Sequence, residues 1–360
     1  MDRVSDTGWR MDPVERRGVL VSGALLLAYF ATIAVSADIP WARAGWLFLS
    51  VLLPTLSLWL TLGIVAIVAL LGLEAWRGPT ASPHVFLAGL VRTRWRRDRF
   101  FSLVWPVILY SILLTLFGLF KQRVLPAAGF RFDPLFHAMD VALFGTEPWR
   151  LSHGNPWLTE LLGHLYYGWY APMMLGTMAC GFLVGRPLFR QRYLAAFVLT
   201  WLIVGSLMAF LLPAAGPCFW GEFVPGPNPY AELMANLRAE VAGGMFNPAL
   251  DIQAYLLASY RSGEVSIGGG ISAMPSMHVA LATLFACGAW SLNRIAGIAF
   301  ALFAFLIWWA SFHLGWHYAV DGLVAAPAAL LIWRLSGRLF PEPVAEAEAP
   351  RPALAPATAG

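Results

Sequence analysis

The sequence predicts an all-α, polytopic integral membrane protein of about eight transmembrane helices. Of its 360 residues, 59% are hydrophobic and only 12% are charged, whereas a soluble domain carries about a quarter charged residues. Mean hydropathy is +0.66. Apolar runs of ~20 residues, the length needed to cross a bilayer, recur along the chain. Together these exclude a soluble globular enzyme. Three Cys cannot build a disulfide scaffold.

The expected spans follow in order. Gly18–Ala37, Ala44–Leu73 and Phe100–Phe120 carry no charge. Leu161–Gly185 holds only His164, and Tyr193–Gly221 is again uncharged. Ser276–Asn293 follows a glycine-rich stretch, and Ile295–Phe312 is clean. Leu314–Trp333 is less apolar and contains His317 and Asp321. Val35-Ser36-Ala37 has the small-residue form of a signal cleavage site, but the run before it is long for a cleaved leader. The first span is therefore expected to stay.

Loop charge sets the expected orientation. With the N-terminus inside, seventeen of the 24 basic residues fall on inner segments, with the densest cluster from Arg92 to Arg99. The positive-inside rule then places both termini in the cytoplasm. Lying between two spans, that basic loop is read as an orientation signal, with no nucleic-acid partner. The segment 341–360 is rich in Ala, Pro and Glu, cannot bury a core and is expected to be disordered.

Ionisable residues inside spans are costly and mark functional candidates. Two stretches qualify: Gly268 to His278, and Ser311 to Asp321. Pro275 suits the first turn of a helix, which would place His278 about one turn inside it. The chain then crosses inward, turns near Asn293-Arg294 and returns, so His278, His313 and His317 reach one outer face. His317 and Asp321 are four apart, which puts them on one face of a helix. The carboxylate can fix the imidazole tautomer, leaving a nucleophilic nitrogen, and His278 can serve as general acid. Ser276, Gly270 and nearby backbone N–H groups are candidates for holding phosphate oxygens. His313, His317 and Asp321, spaced i, i+4, i+8, also fit a metal site on spacing alone. A structural His–Asp pair remains an alternative.

At these residues the sequence resembles the type 2 phosphatidic acid phosphatase superfamily. It resembles most the branch that contains fungal inositol phosphorylceramide synthase, the aureobasidin target. Pro275-Ser276-Met277-His278 is similar to that branch's P-S-x-H, and His317-Tyr318-Ala319-Val320-Asp321 to its H-Y-x-x-D. His313 and Leu314 also suit the branch, and His313 joins Ser276, Gly270 and Arg261 as a candidate for binding substrate. Pro213-Ala214-Ala215-Gly216-Pro217 stands where the phosphatases end their first motif, and Asp133 to Pro148 resembles the branch's outer segment. The resemblance implies a six-helix catalytic core at 100–335. Residues 1–99 would add two helices and the basic cytoplasmic loop. It implies that His317 takes the phosphoryl group as a phosphohistidine, Asp321 orients it and His278 protonates the leaving group. The site would face outward, with no metal or cofactor. The partners would be a phospholipid donor and a lipid acceptor in the membrane.

Departures from the phosphatases sharpen this expectation. The K-x6-R-P start is absent, and Ser311 stands where the phosphatases carry an Arg. A dianionic monoester needs those cations more than a monoanionic phosphodiester does. The favoured expectation is transfer of a head group such as inositol phosphate. The alternatives are a lipid or isoprenyl (di)phosphate phosphatase and, outside catalysis, a transporter or structural membrane protein. Arg261 and Lys121 are candidates to replace the lost cations. The long loop from Ala214 to Ile271, rich in aromatics, is expected either to cover the site or to form an interfacial belt.

Overall fold

The computed structural model describes residues 11–78, 82–86, 89, 97–183 and 186–341. Most of the basic 77–99 loop and nearly all of the C-terminal tail lie outside these residues. Among the described residues, twelve α-helices of ten or more residues organise the fold, and there is no strand. They are α1 (Pro13–Ser36), α2 (Trp41–Arg77), α3 (Arg97–Leu119), α4 (Asp133–Phe144), α5 (Pro156–Gly168) and α6 (Tyr170–Leu183). There follow α7 (Pro187–Leu202), α8 (Ala231–Ala242), α9 (Ala249–Ser262), α10 (Met277–Leu292), α11 (Arg294–His313) and α12 (Ala319–Leu339). Short helical turns fill several of the connections.

Local sequence explains the helix starts and stops. Asp12 caps α1, its carboxylate accepting from Val14 N at 2.8 Å, with Pro13 at the first position. Asn293 ends α10 and caps α11, accepting from Ala296 N at 3.0 Å. One residue thus makes the inner turn of a helical hairpin. Two helices continue past their α portion as π turns, α3 through Phe120–Val124 and α7 through Ile203–Met208. Such π segments are rare and often occur at functional sites.

Among the described residues, six helical stretches are long and apolar enough to cross a membrane: Pro13–Ser36, Trp41–Arg77, Ser102–Ala128, Pro187–Leu211, Arg294–His313 and Ala319–Leu339. The two other expected spans differ in form. The 161–185 run is divided between α5 and α6, with a tightened turn at Trp169. The helix after the glycine-rich stretch has only 16 residues. At 1.5 Å per residue it covers about 24 Å, less than the ~30 Å hydrocarbon core. Ahead of it the chain is irregular but buried, with Val265, Ile271, Ala273 and Met274 each at most 2% exposed. Irregular backbone is tolerated in a membrane only where protein or a cavity covers it.

Helix α10 is the centre of the bundle. Ala280, Leu281, Ala282 and Leu284 are fully buried along it, and it packs against α11, α12 and α7. Small residues allow that close approach. The 214–271 loop is mostly helical, and Phe219, Ile252 and Leu256 from it turn inward beside Trp316.

Candidate active site

Beneath the 214–271 segment lies a cavity of about 550 Å³. Its polar end is lined by Lys121, His278, His317 and the Gly268–Ser272 backbone segment. The loop between α11 and α12 carries His317, the start of α10 carries His278, and the π turn after α3 carries Lys121.

His317 does not sit on a helix, as the i,i+4 reading expected. It precedes Tyr318, the N-cap of α12, and Asp321 is the third residue of that helix. The pair still meets, His317 Nδ1 lying 3.1 Å from Asp321 Oδ2. The reason is a cap: Asp321 Oδ2 also accepts from Tyr318 N at 3.1 Å, as third-position carboxylates do at helix starts. His317 Nδ1 has a second partner, the Ala273 carbonyl oxygen at 2.8 Å. A carbonyl only accepts, so Nδ1 carries the proton and Nε2 presents its lone pair.

His278 is the second residue of α10, and its ring centroid lies 5.7 Å from that of His317. Pro275 is not in the helix. It precedes the N-cap Ser276 and follows a cis peptide bond from Met274. Tyr166 and Trp169 brace the His278 ring, each with centroids at 4.5 Å. The Tyr166 hydroxyl lies 3.1 Å from His278 Nδ1. The Nε2 atoms of His278 and His317 have no hydrogen-bond partner among the described residues. One imidazole lone pair and a second imidazole across a narrow cavity can support nucleophilic attack at phosphorus and proton transfer to a leaving oxygen.

The remaining expected residues divide. Gly270 is at the cavity, with φ +89° and the position of a Cβ only 2.8 Å from Lys121 Cγ. Only glycine allows this approach, which fixes the stem of Lys121. Gln122 locks the same loop by accepting from Ser266 N at 2.8 Å. The Ser276 hydroxyl is fully buried and caps Val279 N at 3.4 Å, so it does not line the cavity. Arg261 lies at the surface, paired with Glu222, away from the histidines. His313 is fully buried elsewhere, with Nδ1 2.8 Å from Ser152 Oγ and Nε2 2.9 Å from Thr159 Oγ1. Both of its nitrogens are occupied, so His313, His317 and Asp321 do not converge on a metal. Among the described residues no group of three His, Cys, Asp or Glu is placed to hold one.

Sequence reasoning assigned no role to two buried carboxylates on α4, which lies outside the six spans. Asp133 accepts from Ala215 N, Gly216 N and the Tyr318 hydroxyl, at 2.9, 2.8 and 2.7 Å. Asp140 accepts from Ala319 N and Val320 N, at 2.8 and 2.9 Å, in the first turn of α12. Burial pushes both carboxyls up, Asp140 to about 7, against the pull of these donors. The two residues tie the Pro213–Pro217 loop and the His317 loop to a single helix. Gly216, with φ +101°, completes the join, since a Cβ there would sit 2.7 Å from Trp316 O. The only sequence signal for the pair is the D…D spacing within the 133–148 stretch.

A family profile described as the PAP2 superfamily matches residues 134–335, more than half of the chain. No curated protein and no solved structure matches it. The matched stretch contains His278, His317 and Asp321, and begins one residue after Asp133. Lys121 and helices α1 to α3 lie before it. The chain belongs to the PAP2 superfamily, that of the type 2 phosphatidic acid phosphatases, and is a membrane enzyme of this phosphatase and phosphotransferase class.

Proposed function

We propose that this enzyme transfers a phosphorylated head group, such as inositol phosphate, from a phospholipid to a lipid hydroxyl, as the inositol phosphorylceramide synthase branch does. The observation that carries the reading is the pair of imidazoles across one cavity, with His317 Nδ1 held by Asp321 and Ala273 O. His317 Nε2 attacks phosphorus, and the bond from phosphorus to the glycerol oxygen breaks. His278 gives its proton to that oxygen, and diacylglycerol leaves. The head group stays on His317 as a phosphoramidate. The acceptor hydroxyl then attacks phosphorus, His278 takes its proton, and the bond to Nε2 breaks.

Charge supports transfer from a diester. Lys121 is the single lysine of the chain, and no arginine lines the cavity among the described residues. Lys121 makes no ion pair or hydrogen bond with any described residue. Lys121 is half-buried at the polar end of the cavity, and a phosphate diester there supplies one matching negative charge. We assign Lys121 to that phosphate. The loop charges support an outward-facing site with both termini in the cytoplasm.

The test is mass spectrometry of lipids after incubating the purified protein with labelled phosphatidylinositol, ceramide, diacylglycerol and phosphatidate. A new phosphorylated lipid, lost in His317→Ala, is the expected result. Free phosphate with a dephosphorylated lipid, and no transfer product, would replace transfer by hydrolysis. Lys121→Ala is expected to lower kcat/KM about 100-fold, in line with loss of one preorganised charge contact, and Arg261→Ala to change it less than twofold.

A further inference from the structure

The cavity extends well beyond the histidines. From Lys121 it continues along α3 through Phe117 and Leu114 to Tyr110, about 16 Å at 1.5 Å per residue. Along this length the lining becomes apolar, with Leu47, Val51 and Thr55 of α2 on one side and Met174 of α6 among the residues on the other. These α2 positions follow a helical stripe, so one face of α2 is turned to the cavity over two turns. The opposite face, including Leu49, Leu53, Leu56 and Leu60, is exposed and suits contact with the bilayer.

The hydroxyls on the inner stripe are satisfied within α2. Ser50 Oγ donates to Trp46 O at 2.9 Å, and Thr55 Oγ1 donates to Val51 O at 2.6 Å. Each is satisfied on its own helix, which leaves mainly hydrocarbon facing the space. An apolar stretch continuous with a polar end that carries Lys121, His278 and His317 suits one lipid chain beside its head group.

We propose that α2, which lies outside the residues matched to the family, forms one wall of a hydrocarbon-chain site between α2, α3 and α6. It would hold one acyl or alkyl chain of the lipid substrate and set which chain lengths react. This rests on the phosphotransfer reading for the position of the head group.

The experiment uses the full chain in phosphatidylcholine nanodiscs with phosphatidylinositol that carries a diazirine at the end of one acyl chain. After illumination, labelled residues are located by peptide mass spectrometry. Label on Leu47, Val51, Thr55, Leu114 or Phe117 is expected. Label only on Leu49, Leu53, Leu56 or Leu60, as bulk lipid would give, or no label on α2, would overturn the proposal. Label in the chamber of a protein that transfers no head group would support the chamber and overturn the phosphotransfer reading. As a second measurement, Val51→Trp is expected to lower the ratio of kcat/KM for long-chain over short-chain donors at least tenfold. An unchanged ratio would overturn the proposal, including the case in which both values fall equally through general damage.

Discussion

Asp321→Asn separates two ways in which a carboxylate can serve a histidine. Where the carboxylate alone sets the tautomer, amide replacement leaves the ring in place but selects the wrong tautomer and costs about 10⁴-fold, as in serine proteases. Here His317 Nδ1 also donates to Ala273 O at 2.8 Å, closer than Asp321 Oδ2 at 3.1 Å. An asparagine oxygen can still accept from Nδ1 or from Tyr318 N. The tautomer therefore survives, and what is lost is negative charge behind a ring that becomes positive as its Nε2 bonds to phosphorus. With charge centres about 4 Å apart and an effective dielectric of about 20, that charge contributes at most about 4 kcal/mol. Each 1.36 kcal/mol is tenfold in rate, so the expected loss in kcat is about 10²- to 10³-fold. The assay is single-turnover head-group transfer, with thermal unfolding in detergent to show that the fold is kept. A loss under tenfold would refute the electrostatic role. A loss as deep as that of His317→Ala would refute the claim that Ala273 O holds the tautomer.

Three further outcomes follow from α4 and the glycine loop. Asp133→Ala strands three buried donors, Ala215 N, Gly216 N and the Tyr318 hydroxyl. At roughly 1–3 kcal/mol for each unpaired group, unfolding in detergent should show a loss of ~3 kcal/mol or more. Asp140 has its folded value pushed up to about 7 by burial, above the unfolded value of about 3.9. The folded state then holds the proton more tightly, so this contribution is present below about pH 4 and lost as pH rises through about 7. Melting temperature should fall less between pH 5 and 8 in Asp140→Asn than in the unchanged protein, and parallel curves would contradict this. Gly270→Ala forces a Cβ against Lys121 at φ +89°, and should lower kcat/KM at least tenfold by displacing the Lys121 stem.

The histidine pair was legible because its signals are local. P-S-M-H and H-Y-A-V-D are short, and a hairpin of two helices brings them together by topology alone. The i,i+4 spacing predicts a His317–Asp321 contact on a helix face, whereas a helix cap makes it. His313 was misread because its partners, Ser152 and Thr159, come from a segment about 160 residues away and leave no trace near it. Arg261 was misread because its pairing with Glu222 is a surface contact made by the fold of the outer loop. Asp133 and Asp140 bind mainly backbone N–H groups, and backbone partners have no side-chain signature to read. Lys121 could be singled out as the one lysine, but its place beside the histidines depends on a π turn that apolar periodicity does not encode. The spans were legible through length and hydropathy, except where the 161–185 run breaks at Trp169 into α5 and α6, and where α10 is short because the loop before it occupies the depth a longer helix would have filled.

The central claim is that His317 carries the phosphorus. The most direct measurement is rapid quench of the purified enzyme with phosphorus-labelled phosphatidylinositol in the absence of acceptor, followed by peptide mass spectrometry under alkaline conditions. The account predicts an acid-labile head-group phosphoramidate on His317, which is absent in His317→Ala and discharged on adding a lipid hydroxyl acceptor. Label on another residue, or turnover at the unmodified rate in His317→Ala, would contradict it.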